Sequence, residues 1–458
     1  MKRLLVIGGS DAGISAALRA REVDPSWGVG LVVADAFPNY SICGLPFFLS
    51  GETPRWESLA HRTRTEIEGR GIELMLDTIA DHIEPGEHRV WVRPTDGAER
   101  AMSYDRLVLG TGAAPALPPI RGLDTPGVYL LHTMAEGLAV HDHLTARSPK
   151  TAIIIGGGYI GLEMADALRV RGLAVTLFEA APTVLQTVDP EFGRLVLGEL
   201  ERHGIAVHTS TAIQAIEGGP SGVVVHDTAG ERVEADLVLV MAGVRPQADL
   251  GTRCGVHAGV RGALRVNRRM ETNVSDVFAA GDCVETHHRL MSEATYIPLG
   301  TTAHKQGRVA GENAVGGYAE FQGSLGTQVV KIFELVVGRT GLREDEARRQ
   351  GFSPWTFESV TWDHKAYYPG ASRLRIRVTG DLRSRRLLGA QLLGQYGTEV
   401  SKRLDVFATA LFHAMTVHDV AHLDLSYTPP LGSPWDPVQT ACMEWALAAP
   451  ASDPRKDA

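Results

Sequence analysis

The hydrophobic pattern of the chain contains one arrangement twice: a short apolar run, a cluster of glycines, an amphipathic stretch and a second apolar run. In the first copy, Leu4–Ile7 predict a buried parallel strand, and the stretch from Ile14 to Arg21 predicts the helix that follows the glycine turn. In the second copy, Ala152–Ile155 and Ala174–Phe178 predict two strands with a helix between them. The duplication predicts an α/β chain with two strand–helix–strand units.

The first glycine turn is framed by Gly8 and Gly13, with Ser10 at the middle glycine position of the GxGxxG pattern. Glycine lets the backbone approach a pyrophosphate closely, and the helix N-terminus offers N–H groups and a positive dipole end. The following strand, in the stretch GLVVADA, ends at Asp35, 22 residues after Gly13. A carboxylate at this place is typical of a residue that binds ribose hydroxyls.

The second turn satisfies the pattern in full with Gly156, Gly158 and Gly161, and Glu179 ends the next strand 18 residues after Gly161. A carboxylate accepts from a 2′-hydroxyl and repels a 2′-phosphate, and the stretch EAAPTVLQ contains no arginine or lysine. The sequence therefore predicts NADH, with NADPH disfavoured. The alternative is that both turns belong to α/β units that bind no nucleotide, but two copies with correctly placed acids argue against it.

Three later segments extend this pattern. Two apolar strands end in glycine turns, in YDRLVLGTGAAP (Tyr104–Pro115) and ADLVLVMAGVRP (Ala235–Pro246). In TNVSDVFAAGDCVE, the predicted strand Val277–Ala279 leads into Gly281 and Asp282. An acid beside a glycine at a strand end suits the hydroxyls of a polyol or a ribose, although Gly-Asp is also a common turn.

Composition narrows the function classes. The formal net charge of −9 and a pI of about 6.0 argue against a general nucleic-acid binder. The four cysteines are far apart and form no CxxC pair, so we expect no metal site and no disulfide scaffold, and a reducing cytoplasm. No apolar run approaches membrane-spanning length, and residues 447–458 are expected to be a disordered tail. The cysteines are Cys43, Cys254, Cys283 and Cys442.

Cys43 lies in the stretch FPNYSICGLPFF, directly before Gly-Leu-Pro. Pro46 and the apolar residues after it predict a helix that begins close to Cys43. A helix N-terminus stabilises a thiolate through its dipole and its N–H groups. The competing interpretation is a buried packing cysteine, which is the favoured interpretation for Cys254 and Cys442.

This order of motifs resembles the FAD-dependent pyridine nucleotide-disulfide oxidoreductases over nearly the whole chain. The resemblance implies an α/β fold with two Rossmann-like domains, one for FAD and one for NAD(P)H, and a C-terminal α+β dimerisation domain. The implied boundaries are 1–116 with 246–320 for FAD, 117–245 for NAD(P)H, and 321–446 for dimerisation. The resemblance also implies that Cys283 packs near the flavin and takes no part in the reaction.

The active-site pattern is similar to the single-cysteine branch, which contains coenzyme A-disulfide reductases, NADH oxidases, NADH peroxidases and persulfide reductases. CGLPFF resembles the branch's active-site segment, and DLSYTPPLGSPWDPV and HKAYYPGA resemble the coenzyme A-disulfide reductase group. In that group two tyrosines of the partner subunit reach the cysteine. The matching positions are Tyr427 and either Tyr367 or Tyr368; the alternative is that these tyrosines only pack an interface.

Three positions depart from these relatives. Coenzyme A-disulfide reductases carry a Ser-x-x-Asn stretch before the cysteine, and this chain has Asn39 and Ile42 at those places. NADH oxidases and peroxidases carry a histidine in the first glycine loop, where this chain has Asp11. The sulfur substrate is left open among coenzyme A disulfide, another small disulfide, a polysulfide and a thiol-bound metalloid.

The resemblance implies an enzyme that passes a hydride from NADH through flavin to Cys43, which reduces a small disulfide or persulfide while a tyrosine protonates the leaving thiolate. Tyr159 is expected to cover the flavin and Glu163 to help seat the nicotinamide. The alternatives are an NADH oxidase that reduces oxygen and a flavoprotein for electron transfer or redox-dependent binding. The residues expected to bind FAD or NADH are Gly8, Ser10, Asp11, Ala12, Gly13, Asp35, Ser41, Thr111, Gly112, Gly156, Gly158, Tyr159, Ile160, Gly161, Glu163, Glu179, Gly243, Gly281, Asp282 and Thr301.

The C-terminal region is expected to form a homodimer. The stretch Arg403 to Asp424 predicts a helix with an apolar face at Val406, Leu411 and Met415, followed by a loop and a short helix. This face suits either a subunit interface or the core of its own domain.

Overall fold

The computed structural model describes residues 1–219 and 222–450, so most of the predicted tail lies outside the described residues. The strands are β1 Arg3–Ile7, β2 Gly28–Val32, β3 Ile72–Met75, β4 Thr78–Glu84, β5 Arg89–Pro94, β6 Arg100–Ser103, β7 Arg106–Leu109, β8 Ala113–Pro115, β9 Val128–Tyr129, β10 Thr151–Ile155, β11 Ala174–Phe178, β12 Ala206–His208, β13 Ile213–Gly218, β14 Val223–Asp227, β15 Arg232–Ala235, β16 Leu237–Val240, β17 Val244–Pro246, β18 Val277–Ala279, β19 Thr286–His287, β20 Ala294–Thr295, β21 Gln328–Ile332, β22 Leu335–Gly341, β23 Pro354–Trp362, β24 Arg373–Asp381 and β25 Leu387–Gln395.

The helices fall between these strands in the order that the apolar pattern predicts for the two duplicated units. They are α1 Asp11–Val23, α2 Leu45–Ser50, α3 Arg64–Glu68, α4 Met134–Arg147, α5 Tyr159–Val170, α6 Pro190–Arg202, α7 Asp249–Arg253, α8 Gly300–Ala314, α9 Glu344–Arg349, α10 Val400–Phe412, α11 Val417–Ala421 and α12 Pro437–Ala448. Within the described residues, no helix combines the length and the apolar character needed to cross a membrane.

The chain divides into two compact units. The first contains Met1–Pro149, Leu239–His287 and Glu293–Ser324, and the second contains Lys150–Val238, His288–Ser292 and the chain from Leu325 onward. The domain boundaries drawn from the sequence remain a prediction.

The first unit is built on a parallel sheet in the order β18-β7-β1-β2-β3. This order confirms the predicted strand–helix–strand arrangement, and the predicted strand Val277–Ala279 is β18. Helices α1 and α8 pack closely, because glycines of α8 lie against the backbone of α1. A Cβ on Gly307 would lie 2.2 Å from the carbonyl oxygen of Ala12, and one on Gly311 would lie 2.1 Å from that of Ala16.

The second unit holds the second copy and the C-terminal sheet. Strands β10, β11 and β12 pair in parallel, and the C-terminal sheet is antiparallel in the order β21-β22-β25-β24-β23. The stretch from Arg403 to Asp424 contains most of α10 and then α11, as predicted. Leu411 is buried in the unit's own core, and Val406 and Met415 pack against it, so this apolar face is occupied within the unit.

Candidate active site

The first glycine turn forms a cradle into which no larger residue fits. A Cβ on Gly8 would lie 2.0 Å from the carbonyl oxygen of Gly110, and one on Gly13 would lie 1.8 Å from that of Gly8. Gly8 also has φ of +110°, which favours glycine. Ser10 is the N-cap residue of α1, so the turn places the N-terminus of this 13-residue helix at the carboxyl edge of the sheet.

Two carboxylates predicted from the sequence flank this cradle. Asp35 follows β2, and its Oδ1 accepts the Phe37 N–H at 2.8 Å. Burial, partly offset by that bond, raises the pKa of Asp35. Burial also raises the pKa of Asp282 to about 7, with a further contribution from the negative charge of Asp11. Groups that donate to these carboxylates, such as ribose or ribityl hydroxyls, would relieve the cost of their burial.

Gly281 brings Asp282 close to the start of α1. Its φ is +84°, and a Cβ there would lie 2.7 Å from the Cβ of Ala12. Its N–H donates to Oε1 of Gln306 on α8 at 2.9 Å, so α8 fixes this turn. The cradle and the partly buried carboxylates together fit a dinucleotide whose pyrophosphate lies at the N-terminus of α1.

Asp11 has a partner that the sequence did not indicate. Its Oδ1 lies 3.3 Å from Nε2 of His304, and Nδ1 of His304 lies 2.8 Å from Oγ of Ser15. The hydrogen bond to Asp11 raises the pKa of His304, and its burial and the nearby Arg62 oppose that shift. His304 therefore offsets the charge of an acid that lies beside the expected pyrophosphate.

The remaining predicted residues of the first unit lie in turns or at helix ends. The Thr111 hydroxyl donates to the Gln247 carbonyl at 2.6 Å. Gly112 and Gly243 have φ of +71° and +94°, as turn glycines do. Thr301 is exposed in the first turn of α8.

The Cys43 segment confirms the predicted helix start. Ile42–Gly44 form one 3-10 turn that leads directly into α2, with Pro46 in the first turn of α2. The Cys43 side chain is exposed, whereas Leu45 and Phe48 anchor α2 in the interior. The Ser41 N–H donates to the Leu59 carbonyl at 2.8 Å.

The other cysteines have the environment of packing residues. Cys283 and Cys442 are fully buried, and burial raises the pKa of both thiols. Cys254 is half-buried, and burial raises its pKa as well. Raised pKa values disfavour the thiolate, which is the reactive form. The exposure of Cys43 therefore sets it apart from them.

Asn39 lies beneath the first glycine turn. It is 1% exposed with φ of +58°, and its N–H donates to the Gly9 carbonyl at 2.8 Å. Its Oδ1 accepts from Arg62 at 3.2 Å, while its Nδ2 has no hydrogen-bond partner among the described residues. The main chain of Asn39 thus supports the turn, while its side chain is buried beside Arg62.

The second glycine turn repeats the geometry of the first. Gly156 has φ of +115°, and a Cβ on Gly161 would lie 1.9 Å from the Gly156 carbonyl oxygen. Gly158 is the N-cap of α5, and exposed Ile160 lies in its first turn. Glu179 accepts the Gly157 N–H at 2.6 Å and the Ala181 N–H at 2.7 Å. Two backbone donors therefore fix the carboxylate at the end of β11, beside the turn.

Two ionisable side chains on α5, Tyr159 and Glu163, are partly buried. Burial raises the pKa of Tyr159 far above its usual value, and the Thr187 hydroxyl donates to its phenolic oxygen at 3.4 Å. Burial and the nearby charge of Asp166 raise the pKa of Glu163 to about 7. Glu163 can thus be protonated or ionised near neutral pH.

A segment from Thr183 to Asp189, here called the strap, ties the second glycine turn to the C-terminal sheet within the second unit. The Leu185 N–H donates to the Gly157 carbonyl at 2.8 Å. At the other end, the Asp189 N–H donates to Oε1 of Gln391 at 2.7 Å, and Arg377 lies 2.9 Å from the Asp189 carboxylate.

Arg339 on β22 holds the middle of the strap. It donates to the Thr187 carbonyl at 2.7 Å and pairs with Glu346 at 2.6 Å. Burial opposes ionisation of Glu346, but hydrogen bonds and charge from Arg339 and Arg343 lower its pKa to about 2. Sequence reasoning missed Arg339 because its partner in the strap lies 152 positions away.

The C-terminal tyrosines lie in two loops that the structure brings together. The Lys365 N–H donates to the Pro429 carbonyl at 3.4 Å, which joins the loop of Tyr367 and Tyr368 to the loop of Tyr427. Tyr367 is 74% exposed, Tyr368 42% and Tyr427 44%. All three present phenolic surface on the second unit.

The expectation of no metal remains a prediction. Asp81, His82 and Glu99 have potential ligand atoms within 4.8 Å of one another. Arg93 lies 3.3 Å from the Asp81 carboxylate and already offsets part of this charge.

Comparison with known proteins identifies the family of the chain. Residues 2–307 match the pyridine nucleotide-disulphide oxidoreductase family, and residues 327–436 match its dimerisation domain. An NAD(P)H sulfur oxidoreductase (CoA-dependent) of Pyrococcus furiosus is 35% identical over 441 residues, which cover 95% of this chain and 97% of that protein. An NADH oxidase of Methanocaldococcus jannaschii is 31% identical over 441 residues, covering 96% and 97% of the two chains.

The structure of an NAD-dependent persulfide reductase from A. fulgidus superposes with a TM-score of 0.93 at 33% identity, covering 97% of this chain and 83% of that one. The family is enzymatic and uses FAD with NAD(P)H, in agreement with the two cradles described above. The two matched regions account for most of the chain, and it belongs to the pyridine nucleotide-disulphide oxidoreductase family.

Proposed function

We propose that this protein is an FAD-dependent oxidoreductase that takes electrons from NADH and uses Cys43 to reduce a sulfur substrate, either a polysulfide or persulfide or a small disulfide such as coenzyme A disulfide. The observation that carries this proposal is the exposed Cys43 thiol at the turn before α2, in the same unit as the first cradle. The relative from Pyrococcus furiosus, named as a sulfur oxidoreductase, supports the substrate class.

The residues of the first cradle bind FAD in this proposal. Backbone N–H groups at the start of α1 hold the pyrophosphate, while Asp35 and Asp282 accept from hydroxyls. His304 keeps the charge of Asp11 from repelling the phosphates. Bound FAD supplies two-electron exchange between a nicotinamide and a thiol.

The second turn binds NADH. Its backbone N–H groups face the pyrophosphate, and Glu179 accepts from the adenosine ribose. The carboxylate is held by two backbone donors, so it cannot swing away from a 2′-phosphate without losing both bonds. Tyr159 and Glu163, both on α5, position the nicotinamide in this proposal.

Cys43 carries the sulfur chemistry. As a thiolate it attacks a substrate sulfur, so that a new S–S bond forms to Cys43, the substrate S–S bond breaks and a thiolate leaves. A tyrosine hydroxyl protonates the leaving thiolate, and the enzyme-bound disulfide or persulfide is then reduced by two electrons that originate in NADH. The exposed position of Cys43 gives a small substrate access to the thiol.

The active form is a homodimer in this proposal. The chain contains the family's dimerisation domain, and Tyr427 with Tyr367 or Tyr368 presents exposed phenol groups on the second unit. These tyrosines act on Cys43 of the partner subunit. Because Asn39 is buried, its side chain is not available to a coenzyme A substrate, so recognition of that moiety falls to other residues.

Oxygen reduction is a second candidate, favoured by the similarity to an NADH oxidase over nearly the full chain. In that case Cys43 would cycle through a sulfenic acid. To separate the two candidates, the enzyme is reduced anaerobically by NADH and then mixed with either air or inorganic polysulfide. The oxidant that reoxidises the reduced enzyme faster indicates the substrate.

The decisive variant is Cys43→Ser, with Cys254→Ser as the matched control. We expect Cys43→Ser to retain bound FAD and to lose polysulfide or coenzyme A-disulfide reduction by about a hundredfold or more, because a serine hydroxyl is a far poorer nucleophile than a thiolate. Cys254→Ser should keep its turnover. Unchanged reduction of both substrates by Cys43→Ser would contradict the proposal.

A further inference from the structure

We propose that Gly137 and His141, both on α4, are positioning residues for Cys43. The inference rests on the proposed function, since it concerns how the reactive thiol is held, and all of its residues lie in the first unit. It follows from the way in which α4 packs on α2, the helix that begins two residues after Cys43.

The first turn of α4 is held by a capping box between Thr133 and Glu136. The Glu136 carboxylate accepts the Thr133 N–H at 2.9 Å and the His132 N–H at 2.8 Å, and the Glu136 N–H donates to the Thr133 hydroxyl at 3.2 Å. Gly137 is the next residue; it is buried, and its N–H donates to the Thr133 carbonyl at 3.0 Å. A capped helix start does not fray, so Gly137 has a fixed place.

Gly137 allows α4 to approach α2 more closely than any larger residue would. A Cβ on Gly137 would lie 2.5 Å from Cδ2 and 3.0 Å from Cδ1 of Leu45. One turn further along α4, the His141 ring stacks on the ring of Phe48, with centroids 4.7 Å apart and an interplanar angle of 24°. Residues four apart on one helix and three apart on the other share a face, so the two contacts form one interface between α4 and α2.

The turn that carries Cys43 is also confined by Leu59. A Cβ on Gly44 would lie 2.6 Å from Cδ2 of Leu59, and the Ser41 N–H donates to the Leu59 carbonyl at 2.8 Å. The residues on either side of Cys43 are thus held by Leu59, and Leu45 is held by α4, so a shift of α2 also moves the backbone of Cys43. Where reacting groups must be aligned, a displacement of about 1 Å can cost about a hundredfold in rate.

The first test is Gly137→Ala, with inorganic polysulfide as the substrate and NADH as the reductant. The added methyl group meets Leu45, so α2 has to shift. We expect kcat to fall about tenfold or more, whereas the bound FAD and the anaerobic rate of flavin reduction by NADH should equal those of the wild type, because neither needs the thiol. An unchanged kcat, or a flavin reduction slowed as much as kcat, overturns the inference.

The double variant Gly137→Ala/Leu45→Val tests whether this contact is responsible. Valine lacks the two Cδ atoms that the new methyl group would meet, and the two changes together conserve volume. We therefore expect kcat to return to within about threefold of the wild type. A kcat as low as that of Gly137→Ala would show that the loss does not come from the contact with Leu45, and the inference fails.

Gly251→Ala is the matched control for a loss of stability. Gly251 lies on α7 in the same unit, and a Cβ there would lie 2.7 Å from Cδ1 of Leu264. Thermal unfolding should show that both alanine variants are destabilised, whereas only Gly137→Ala should lose kcat. An equal loss of kcat in Gly251→Ala overturns a specific role for Gly137.

His141→Ala tests the second contact independently, and it decides the matter if Gly137→Ala does not fold. We expect kcat to fall several-fold, while Asp142→Ala, at the neighbouring and 83% exposed side chain, should keep its kcat. A wild-type kcat in His141→Ala overturns the role of His141. Cys43→Ser is measured in the same assay: if it retains turnover, the proposed function fails, whereas if it is inactive while Gly137→Ala and His141→Ala keep the wild-type kcat, only this inference fails.

Discussion

The guanidinium of Arg339, on a strand of the C-terminal sheet, donates to the main-chain carbonyl of Thr187, whose hydroxyl donates to Tyr159 in the second glycine turn. Within the second unit, Arg339 thus adds a buried connection between the C-terminal sheet and the second glycine turn, beside those of Gln391 and Arg377 to Asp189. Both carboxylate oxygens of Glu346 accept hydrogen bonds from Arg339, so the guanidinium cannot move away from the strap without breaking those bonds.

We expect Arg339→Lys to raise the KM for NADH several-fold, with kcat changed less. Lysine keeps the charge but cannot bond the strap and both oxygens of Glu346 at once, so the strap and Tyr159 lose their fixed position. Steady-state kinetics measure the change in the KM for NADH, and the FAD content of each preparation is determined so that rates refer to the flavin-loaded enzyme. Arg348→Lys is the matched control, because Arg348 is exposed on the neighbouring helix α9 and pairs only at the surface with Glu344. An unchanged KM in Arg339→Lys would refute the positional role of the arginine.

Coenzyme preference is expected to depend on the charge of Glu179. The wild type should have a higher kcat/KM for NADH than for NADPH, since a fixed carboxylate beside a 2′-phosphate is a like-charge contact. Glu179→Gln keeps the size of the side chain and removes its charge, so we expect the kcat/KM for NADPH to rise by about tenfold or more. Glu179→Ala should also lose discrimination while weakening NADH. A wild-type enzyme that prefers NADPH would be incompatible with this argument.

FAD affinity is expected to rise as the pH increases through about 7. In the FAD-free protein, burial and the charge of Asp11 raise the pKa of Asp282 to about 7, so Asp282 is protonated below that value. FAD hydroxyls that donate to the carboxylate favour its ionised form, so binding releases a proton and becomes tighter where that form predominates. Titration of the FAD-free protein by flavin fluorescence from pH 6 to 8 measures this slope.

The pH dependence of the stability of the FAD-free protein tests whether Asp282 is the group that titrates. The pKa of an unfolded aspartate is ~3.9, so the contribution of Asp282 to stability is complete below that pH and is lost as the pH rises through about 7. Asp282→Asn should remove this decline and also flatten the pH dependence of FAD affinity. A slope that persists in Asp282→Asn would assign the ionisation to another group, such as Asp35.

Shared active sites predict complementation between two defective subunits. Cys43→Ser and Tyr427→Phe are each expected to be impaired in sulfur reduction as pure homodimers. When the two are co-expressed, a mixed dimer contains one site with both intact residues, because Cys43 and Tyr427 come from different subunits at each site. Activity should therefore recover above that of either parent, and sedimentation should show a dimer. The absence of recovery in purified mixed dimers, or full activity in a monomer, would rule out sites shared between subunits.

The sequence by itself determined the two nucleotide-binding units. Each unit is encoded within a short span in which a strand, a glycine turn and a helix follow one another, so local sterics suffice: only glycine fits at Gly13 and Gly161. Each acid follows the next strand; Glu179 comes directly after β11, whereas β2 ends at Val32, before Asp35. The helix start after Cys43 was also predictable, because Pro46 favours the first turn of a helix.

Only the tertiary structure decided which of the less distinctive residues contact one another. Nothing local marks Arg339 as the partner of Thr187, because a buried cation is chosen by the packing of two elements far apart in the chain. The face of Val406, Leu411 and Met415 suited either a core or an interface, and packing assigned it to the unit's own core. Tyr367 and Tyr368 are adjacent and of the same type, and only the structure distinguishes them: the ring of Tyr368 contacts His364, whereas Tyr367 is more exposed.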